Sequence, residues 1–323
     1  MAKEGYKGGF GITPVGAGLG KYLVLLILSR DREYKCSGEQ EIVSIMTSKL
    51  AIVTGGTRGI GFGISQKLAR DGYNLIIGFN SNEEAAATAK ATLESTYGVN
   101  VHSVKGDVAE ESTIESLFNC VEDNFDGKLT AFVHSSGLYV GLTTSPESSQ
   151  ATQAAKLKAQ FFGDGTFTSF EQYDYYQNVY PKCFIRGVER ALEYMENGNG
   201  YIVAISSPGC NSNQTPKLQY ALPGQAKATL EFLIRYYAKQ LAPRQITVNA
   251  VIPGYVKTNA WEFVTSKWGG LDSDEMKNII NKTPMQRWVL PEEIGEVVTF
   301  LCSPKAAFIT GAALPVDGGL HLR

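Results

Sequence analysis

The sequence predicts a single α/β domain built on a parallel sheet of about seven strands. Two observations lead to this prediction. Short apolar runs, typical of strands buried on both faces, alternate along the chain with amphipathic helical segments. A glycine-rich turn directly follows the first apolar run, residues 50–54. Repeated alternation of strand and helix implies right-handed crossovers, which place helices on both faces of the sheet. We therefore expect a doubly wound parallel sheet.

The elements follow one another in a regular order. Apolar runs predict strands at 50–54, 74–79, 99–104, 129–134, 201–205, 246–252 and 312–316. Apolar residues at helical spacing predict helices between them, for example Ile114, Leu117, Phe118 and Val121. Two segments interrupt this rhythm. Residues 138–172 form a long connection, which we expect to be a functional lid or a surface insertion. Residues 259–287 are rich in large apolar side chains and are expected either to cover a substrate or to pack on their own core.

The first 45 residues differ from the rest of the chain. They begin glycine-rich and contain one apolar run, 22–28, which is too short to cross a bilayer because a spanning helix needs about 20 residues. No small-residue cleavage site follows this run convincingly. We expect residues 1–45 to be a flexible or targeting extension and residues 46–323 to be the folded domain. The predicted location is the cytoplasm, or an organelle if the extension is a targeting segment.

Composition excludes several classes of function. The chain has 323 residues, of which 43% are hydrophobic and 19% charged, and its formal net charge is −2. This balance gives no reason to expect nucleic acid or a membrane as partner. The five cysteines show no C-x-x-C spacing and no two of the three histidines are helically spaced, so neither a disulfide framework nor a metal site is expected.

The glycine-rich turn, residues 54–61, reads T-G-x-x-x-G-x-G. Glycines let a backbone turn approach a phosphate closely, and the amides at the start of the following helix attract an anion. Its place between the first strand and the first helix of a βα series predicts a dinucleotide site.

A hydroxyl, a phenol and an ammonium follow the fifth predicted strand. Ser207 lies just after the strand, while Tyr220 and Lys227 are seven residues apart and would lie on one face of a helix. A nearby ammonium favours the phenolate and lowers the pKa of a phenol. Such a set could give a proton to a carbonyl or enolate oxygen. The alternative, a helix N-terminus with surface tyrosine and lysine, has equal weight from this stretch alone.

These motifs, in this order, resemble the short-chain dehydrogenase/reductase family over residues 49–319. The resemblance continues at Asp107 and Val108, at Asn178, at Ser207, at Pro253 with Gly254, and at 317–319. It implies a Rossmann-like fold with a nicotinamide cofactor, a small-molecule substrate, and a homotetramer or homodimer. The implied cofactor-binding residues are Gly55, Thr57, Arg58, Gly59, Ile60, Gly61, Asn80, Ser81, Asp107, Val108, Ser136, Gly137, Lys227, Pro253, Gly254, Val256 and Thr258.

The sequence departs from the family pattern in two places. The usual Asn-Asn-Ala-Gly is His-Ser-Ser-Gly at 134–137, where we expect His134 to be structural rather than a catalytic base. The usual Tyr-x-x-x-Lys is absent because Gly224 lies four residues after Tyr220. The spacing Tyr-x6-Lys resembles the branch that includes enoyl-acyl-carrier-protein reductases. Ser207, however, stands thirteen residues before Tyr220, as it does in carbonyl-reducing members.

The end of the second predicted strand indicates which cofactor is used. NAD sites place an acidic residue there, but here the strand is followed by Asn80, Ser81 and Asn82, with no carboxylate before Glu83. Arg58 could meet a 2′-phosphate. NADPH is therefore expected, and NADH is the less favoured alternative.

The leading hypothesis is an NADPH-dependent reductase of an α,β-unsaturated acyl thioester. Tyr220 would protonate the enolate, Lys227 would hold the nicotinamide ribose, Ser207 would share the oxyanion and Asn178 would order a relay water. The second hypothesis keeps these residues but reduces a ketone or aldehyde. The third is a non-catalytic dinucleotide-binding sensor or scaffold.

Overall fold

The computed structural model describes residues 49–137, 170–212, 214–216, 220–266 and 269–322. This part of the chain contains seven strands and nine α-helices. The expected extension, 1–45, and residues 138–169 of the expected insertion lie outside these ranges. The strands are β1 Lys49–Thr54, β2 Tyr73–Phe79, β3 Val101–Lys105, β4 Ala131–His134, β5 Gly200–Ile205, β6 Ile246–Pro253 and β7 Ala313–Val316. The helices are α1 Gly59–Arg70, α2 Glu83–Tyr97, α3 Glu111–Asn124, α4 Phe170–Gln177, α5 Cys183–Tyr194, α6 Ala221–Leu241, α7 Asn259–Thr265, α8 Asp274–Ile280 and α9 Pro291–Leu301.

All seven strands are parallel and form one sheet in the order β3-β2-β1-β4-β5-β6-β7. The predicted doubly wound fold is therefore confirmed. The chain winds outward from β1 to β3, then returns to place β4 on the other side of β1. A crevice opens at such a reversal, outside the carboxyl ends of the two central strands. Thr54 and His134, the last residues of β1 and β4, are paired neighbours at that edge.

Alternate residues of the strands pack into two separate cores. Leu50 and Ile52 belong to the core covered by α3, α5 and α6, whereas Ala51 and Val53 belong to the core covered by α1, α2 and α9. Burying a large apolar side chain contributes about 1.5–3 kcal/mol. Because both faces are buried, the strands read as continuous apolar runs rather than as an alternating pattern.

A π-helical segment, Asn178–Lys182, lies between α4 and α5. Pro181 lies inside this segment and lacks the N–H that a continuous α-helix would use. Such π segments often occur at functional sites.

None of the helices within the described residues is long and apolar enough to cross a bilayer.

Candidate active site

A cavity of about 490 Å³ opens at the reversal of strand order. Its lining comes from the segments that follow β1, β2, β3 and β4, from the π-helical region and from the start of α7. The lining residues are Gly55, Thr57, Arg58, Gly59, Ile60, Gly61, Phe79, Asn80, Asn82, Gly106, Asp107, Val108, Ser135, Ser136, Gly137, Tyr175, Val179, Thr258, Asn259 and Ala260. Most of the predicted cofactor residues are therefore brought together, although Ser81, Lys227, Pro253, Gly254 and Val256 are not in this lining.

The turn after β1 needs glycine for reasons of backbone shape and space. Gly55 and Gly59 have φ of +68° and +51°, in the left-handed region that favours glycine. A β-carbon at position 61 would lie 2.1 Å from the Gly55 carbonyl oxygen, so any other residue would force the turn open. The turn leads into α1, and the free backbone amides at the start of a helix suit a phosphate.

Thr54, at the end of β1, accepts two backbone hydrogen bonds from residues of the cavity lining. Its Oγ1 accepts from the amides of Ser135 at 3.1 Å and Ser136 at 3.0 Å, and lies 3.2 Å from Nδ1 of His134. The remaining hydroxyl proton is then directed at Nδ1, which fixes the neutral imidazole with its own proton on the other nitrogen. Burial, and secondly the charge of Lys227, lowers the pKa of His134 to about 3. His134 is thus a buried, neutral residue at the end of β4.

Asp107 and Val108 follow β3 and line the cavity. Asp107 accepts a hydrogen bond from the Ala109 amide at 2.9 Å, which fixes its carboxylate. At the end of β2, Asn80 lines the cavity and Ser81 is exposed outside the lining. Asn82, which the sequence did not single out as a ligand, lines the cavity and caps α2 through the Ala85 amide. Its position after β2 was the available signal.

The charges around this end of the cavity are arranged asymmetrically. Glu83, the first carboxylate after β2, accepts from Lys105 Nζ at 2.6 Å, and this hydrogen bond lowers the pKa of Glu83. Exposed Arg58 lines the cavity, and no carboxylate within the described residues forms an ion pair with it. A negative group could therefore bind here without displacing an existing partner.

Lys227 is buried beside the end of β5, with only 6% of its surface exposed. Its Nζ donates to the Ile205 carbonyl at 2.5 Å and lies 3.8 Å from the centroid of the Tyr180 ring. Burial lowers the pKa of Lys227 to about 7. The ammonium contacts a carbonyl oxygen and an aromatic face, and no carboxylate within the described residues forms an ion pair with it.

Tyr220 immediately precedes α6, which begins at Ala221, two residues before Pro223. Its carbonyl accepts from the Gly224 amide at 2.8 Å and so closes the first helical turn. A β-carbon at position 224 would approach the Tyr220 ring to 3.2 Å, so glycine gives this ring its space. Ser207 and Asn178 are both half-buried, the first just after β5 and the second at the start of the π-helical segment.

Tyr180 is a site residue that the sequence did not indicate. It is buried, it lies under the Lys227 ammonium, and its Oη would be 2.8 Å from a β-carbon at position 137. Burial, followed by the neighbouring Tyr220, raises the pKa of Tyr180 well above its usual value. Tyr180 thus lies next to both Gly137, which lines the cavity, and the buried Lys227. The only sequence signal was a tyrosine two residues after Asn178.

Comparison with known proteins identifies the family. The family model described as "Enoyl-(Acyl carrier protein) reductase" matches residues 55–321. The chain belongs to the short-chain dehydrogenase/reductase family. It is accordingly an NAD(P)-dependent oxidoreductase with a Rossmann-like fold.

Three similar proteins illustrate the range of this family. The hydroxynaphthalene reductase-like protein Arp2 of Metarhizium anisopliae is 30% identical over 289 residues, 88% of this chain and 98% of that one. The 1-cyclohexenylcarbonyl-CoA reductase of Streptomyces collinus is 30% identical over 85% of this chain and 87% of that one. A short-chain dehydrogenase from Burkholderia cenocepacia J2315, solved in complex with NADP, is 25% identical, with a TM-score of 0.69 and coverage of 85% and 98%.

The short-chain reductase motif after β6 brings two distant segments together. The Gly254 amide donates to the Val316 carbonyl at 3.0 Å, and a β-carbon at position 254 would lie 2.8 Å from Cα of Asp317. Val256 forms a parallel bridge with Val289. Of the residues predicted here to contact the cofactor, Thr258 lines the cavity, whereas Pro253, Gly254 and Val256 are not in its lining.

Helices α7 and α8 occupy the segment expected to be a lid, 259–287. Asn259 and Ala260 line the cavity, and the Trp261 ring contacts the rings of Tyr255 and Trp288. Met276, on α8, is fully buried.

Proposed function

We propose that this reductase uses NADPH to reduce an α,β-unsaturated acyl thioester. The observation that carries the proposal is the arrangement around Tyr-x6-Lys. Tyr220 directly precedes α6, Gly224 makes room for its ring, and Lys227 lies two turns into the helix beside Tyr180. The family description and the printed name of the Streptomyces relative point in the same direction.

The cavity fits the dinucleotide because its glycine turn leaves space that side chains would fill. Bound NADPH would supply a hydride to the substrate. Gly55, Gly59 and Gly61 would admit the pyrophosphate, Asp107 and Val108 would contact the adenine, and Ser136, Gly137 and Thr258 would lie near the nicotinamide. Lys227 would bind the nicotinamide ribose, and its positive charge would favour the Tyr220 phenolate. Tyr220 would give its proton to the enolate oxygen, Ser207 would share that oxygen, and Asn178 would order the water that restores the proton.

The proposal is tested by following NADPH oxidation with a crotonyl thioester and an acetoacetyl thioester side by side. We expect turnover of the crotonyl thioester. Tyr220→Phe is expected to lower kcat by about 10²–10⁴-fold, because the phenolic proton is lost while the ring remains. Tyr97→Phe, on α2 and outside the cavity lining, is the matched control and should leave kcat unchanged. Nearly full turnover in Tyr220→Phe would contradict the assignment.

A carbonyl reductase is the second candidate. Ser207 stands thirteen residues before Tyr220, as in carbonyl-reducing members, and the fungal relative is named as a hydroxynaphthalene reductase-like protein. Preference for the acetoacetyl thioester, or for a simple ketone, in the same assay would establish it. Tight NADPH binding without turnover of any enoyl or carbonyl substrate would instead favour the sensor or scaffold.

Arg58 supports the preference for NADPH. Glu83, the first carboxylate after β2, is paired with Lys105, so Arg58 is the charged group proposed to bind a 2′-phosphate. Arg58→Gln is expected to raise the KM for NADPH about 10–100-fold, the loss of one charge-assisted hydrogen bond, and to leave the KM for NADH unchanged. Arg58→Lys keeps the charge and should lose less. Equal KM values for NADH and NADPH in the unmodified enzyme would overturn this assignment.

We also propose an oligomer, a homotetramer or homodimer, formed through the helices that contain Asn178 and Lys227. Phe232 and Tyr236 on the outer face of α6 are 57% and 53% exposed, and Tyr173 on α4 is 37% exposed. Sedimentation showing a monomer at all concentrations would contradict this.

The segment 259–287 is proposed as the substrate lid, and Trp261→Ala should raise the KM for an acyl thioester more than the KM for NADPH.

A further inference from the structure

Glu231 is a buried carboxylate that the proposed chemistry does not use. Only 2% of its surface is exposed, and it lies on α6 one turn after Lys227. Its Oε1 accepts a short hydrogen bond from the Ser206 hydroxyl, and its Oε2 accepts from Nδ2 of Asn211 at 3.0 Å. A carboxyl group that accepts at both oxygens has the hydrogen-bonding pattern of the ionised form. Burying an ionised carboxylate costs free energy, which hydrogen bonds and a nearby cation offset.

Both donors to Glu231 belong to the loop that carries Ser207. Ser206 precedes Ser207 and Asn211 follows it by four residues. On the other side of Ser206, the Ile205 carbonyl accepts from Lys227. Two side chains of α6 therefore hydrogen-bond to successive residues of this segment: Lys227 to Ile205, and Glu231 to Ser206. Ser207 is the next residue along the chain, so its position depends on both contacts.

Glu231 also provides negative charge near the buried end of Lys227. Burial lowers the pKa of Lys227 to about 7, and Cys210, Glu231 and Cys183, in that order, oppose this effect. Two other titratable groups face the ammonium, His134 and Tyr180. Burial holds the pKa of Cys183 at about 12 and that of His134 at about 3, so both are neutral near pH 7. Tyr180 is neutral there as well.

We propose that Glu231 is a positioning residue, which holds the loop bearing Ser207 against α6 and supplies negative charge that keeps Lys227 in its ammonium form. This inference rests on the roles proposed above for Ser207 and Lys227. It assigns two separable duties to one carboxylate, geometric and electrostatic.

The electrostatic duty is tested by the pH dependence of NADPH binding and of kcat/KM. Glu231→Gln keeps the size of the side chain but removes its charge. Losing that charge lowers the pKa of Lys227, so the basic limb of both profiles should move to lower pH, by about one pH unit. Arg235→Gln, an exposed charge change on the same helix, should leave the limb in place. Cys210→Ala measures the thiol's share, and the shift caused by Glu231→Gln should persist in that background.

The geometric duty is tested by Glu231→Asp, which keeps the charge but shortens the side chain by one methylene. It should lower kcat at least about tenfold while the basic limb stays in place. Asn211→Ala, which removes one donor from the loop, should lower kcat in the same direction and tests this duty even if a substitution at 231 does not fold.

The outcomes separate this inference from the proposed function. Coincident basic limbs for Glu231→Gln and the unmodified enzyme would overturn the electrostatic duty, and full kcat in both Glu231→Asp and Asn211→Ala would overturn the geometric one. Because NADPH binding needs no substrate, it is readable even if the crotonyl thioester is not reduced. Failure of the unmodified enzyme to bind NADPH at any pH would instead count against the proposed function.

Discussion

His134 is a titratable side chain enclosed by the core at the reversal of the sheet. It replaces the first asparagine of the family motif, and its Nδ1 is held by Thr54. Because the imidazole is neutral when folded but binds a proton near pH 6.5 when unfolded, it links stability to pH. Its pKa is lowered on folding, so its contribution is fully present above about pH 6.5 and is lost as pH falls toward 3.

We therefore expect the free energy of unfolding to fall by about 2 kcal/mol between about pH 7.5 and pH 5 because of His134 alone. Denaturant unfolding at the two pH values measures the change. His134→Asn, which cannot titrate, should show a pH dependence smaller by that amount. Parallel pH dependences in the two proteins would show that His134 is accessible to protons in the folded state.

Single residues show which parts of the site could be predicted from the sequence. Lys227 and the glycine turn were predicted as site residues because each lies within a short motif whose spacing reflects one local structure. Tyr180 was not found because its role comes from contacts with Gly137 and Lys227, which are distant from it in sequence. The arrangement of Ser206 and Asn211 around Glu231 likewise depends on where β5 and α6 meet.

At the scale of elements, α1 and α9 cross at two glycines. A β-carbon at position 63 would lie 2.4 Å from the carbonyl carbon of Pro291, and one at position 295 would lie 2.4 Å from the Gly63 oxygen. The two backbones are thus closer than side chains would allow. Because α1 begins in the glycine turn, this crossing fixes the direction in which its N-terminal amides point.

Gly63→Ala is expected to destabilise the protein by about 1–3 kcal/mol through overpacking, and to weaken NADPH binding by tilting α1. Urea unfolding and a fluorescence titration with NADPH measure the two effects. Gly78→Ala is the matched control, because a β-carbon there would make only an ordinary contact, 3.5 Å from Leu117. Equal stability of the two variants would mean that α9 moves aside at little cost.

Helix boundaries were predictable where the signals are local. Asn82 caps the start of α2 through the Ala85 amide, and Gly98, with φ of +67°, follows its last residue. The π-helical segment was not predictable, since Pro181 permits it but packing against α6 and the cavity selects it.

At the scale of the whole molecule, the alternation of strand and helix predicts a parallel sheet, whereas the order of its strands is set by pairing between distant segments. The sequence predicted a parallel sheet of about seven strands, and the structure has seven. Pairing between strands distant in the chain could be inferred from handedness rules and from the family resemblance, but not from any one segment. We propose that the reductase domain starts near Met46 and that residues 1–45 are a dispensable extension.

A chain begun at Met46 is expected to fold and to keep the kcat/KM of the full chain. The described core, from β1 onward, supplies both hydrophobic clusters and the cavity. Thermal unfolding and the thioester assay on both chains check this. An insoluble or inactive shortened chain would show that the extension belongs to the folding unit.

The hydrogen bonds of Thr54 have one further consequence. The Ser135 and Ser136 amides point inward to its hydroxyl, so they are not available to a ligand in the cavity. An anion finds backbone donors at the α1 end, whereas the β4 end offers none from these two residues. The cavity is therefore polarised from one end to the other, and a dinucleotide that carries its phosphates on one side of its nicotinamide is expected to enter it in a single orientation.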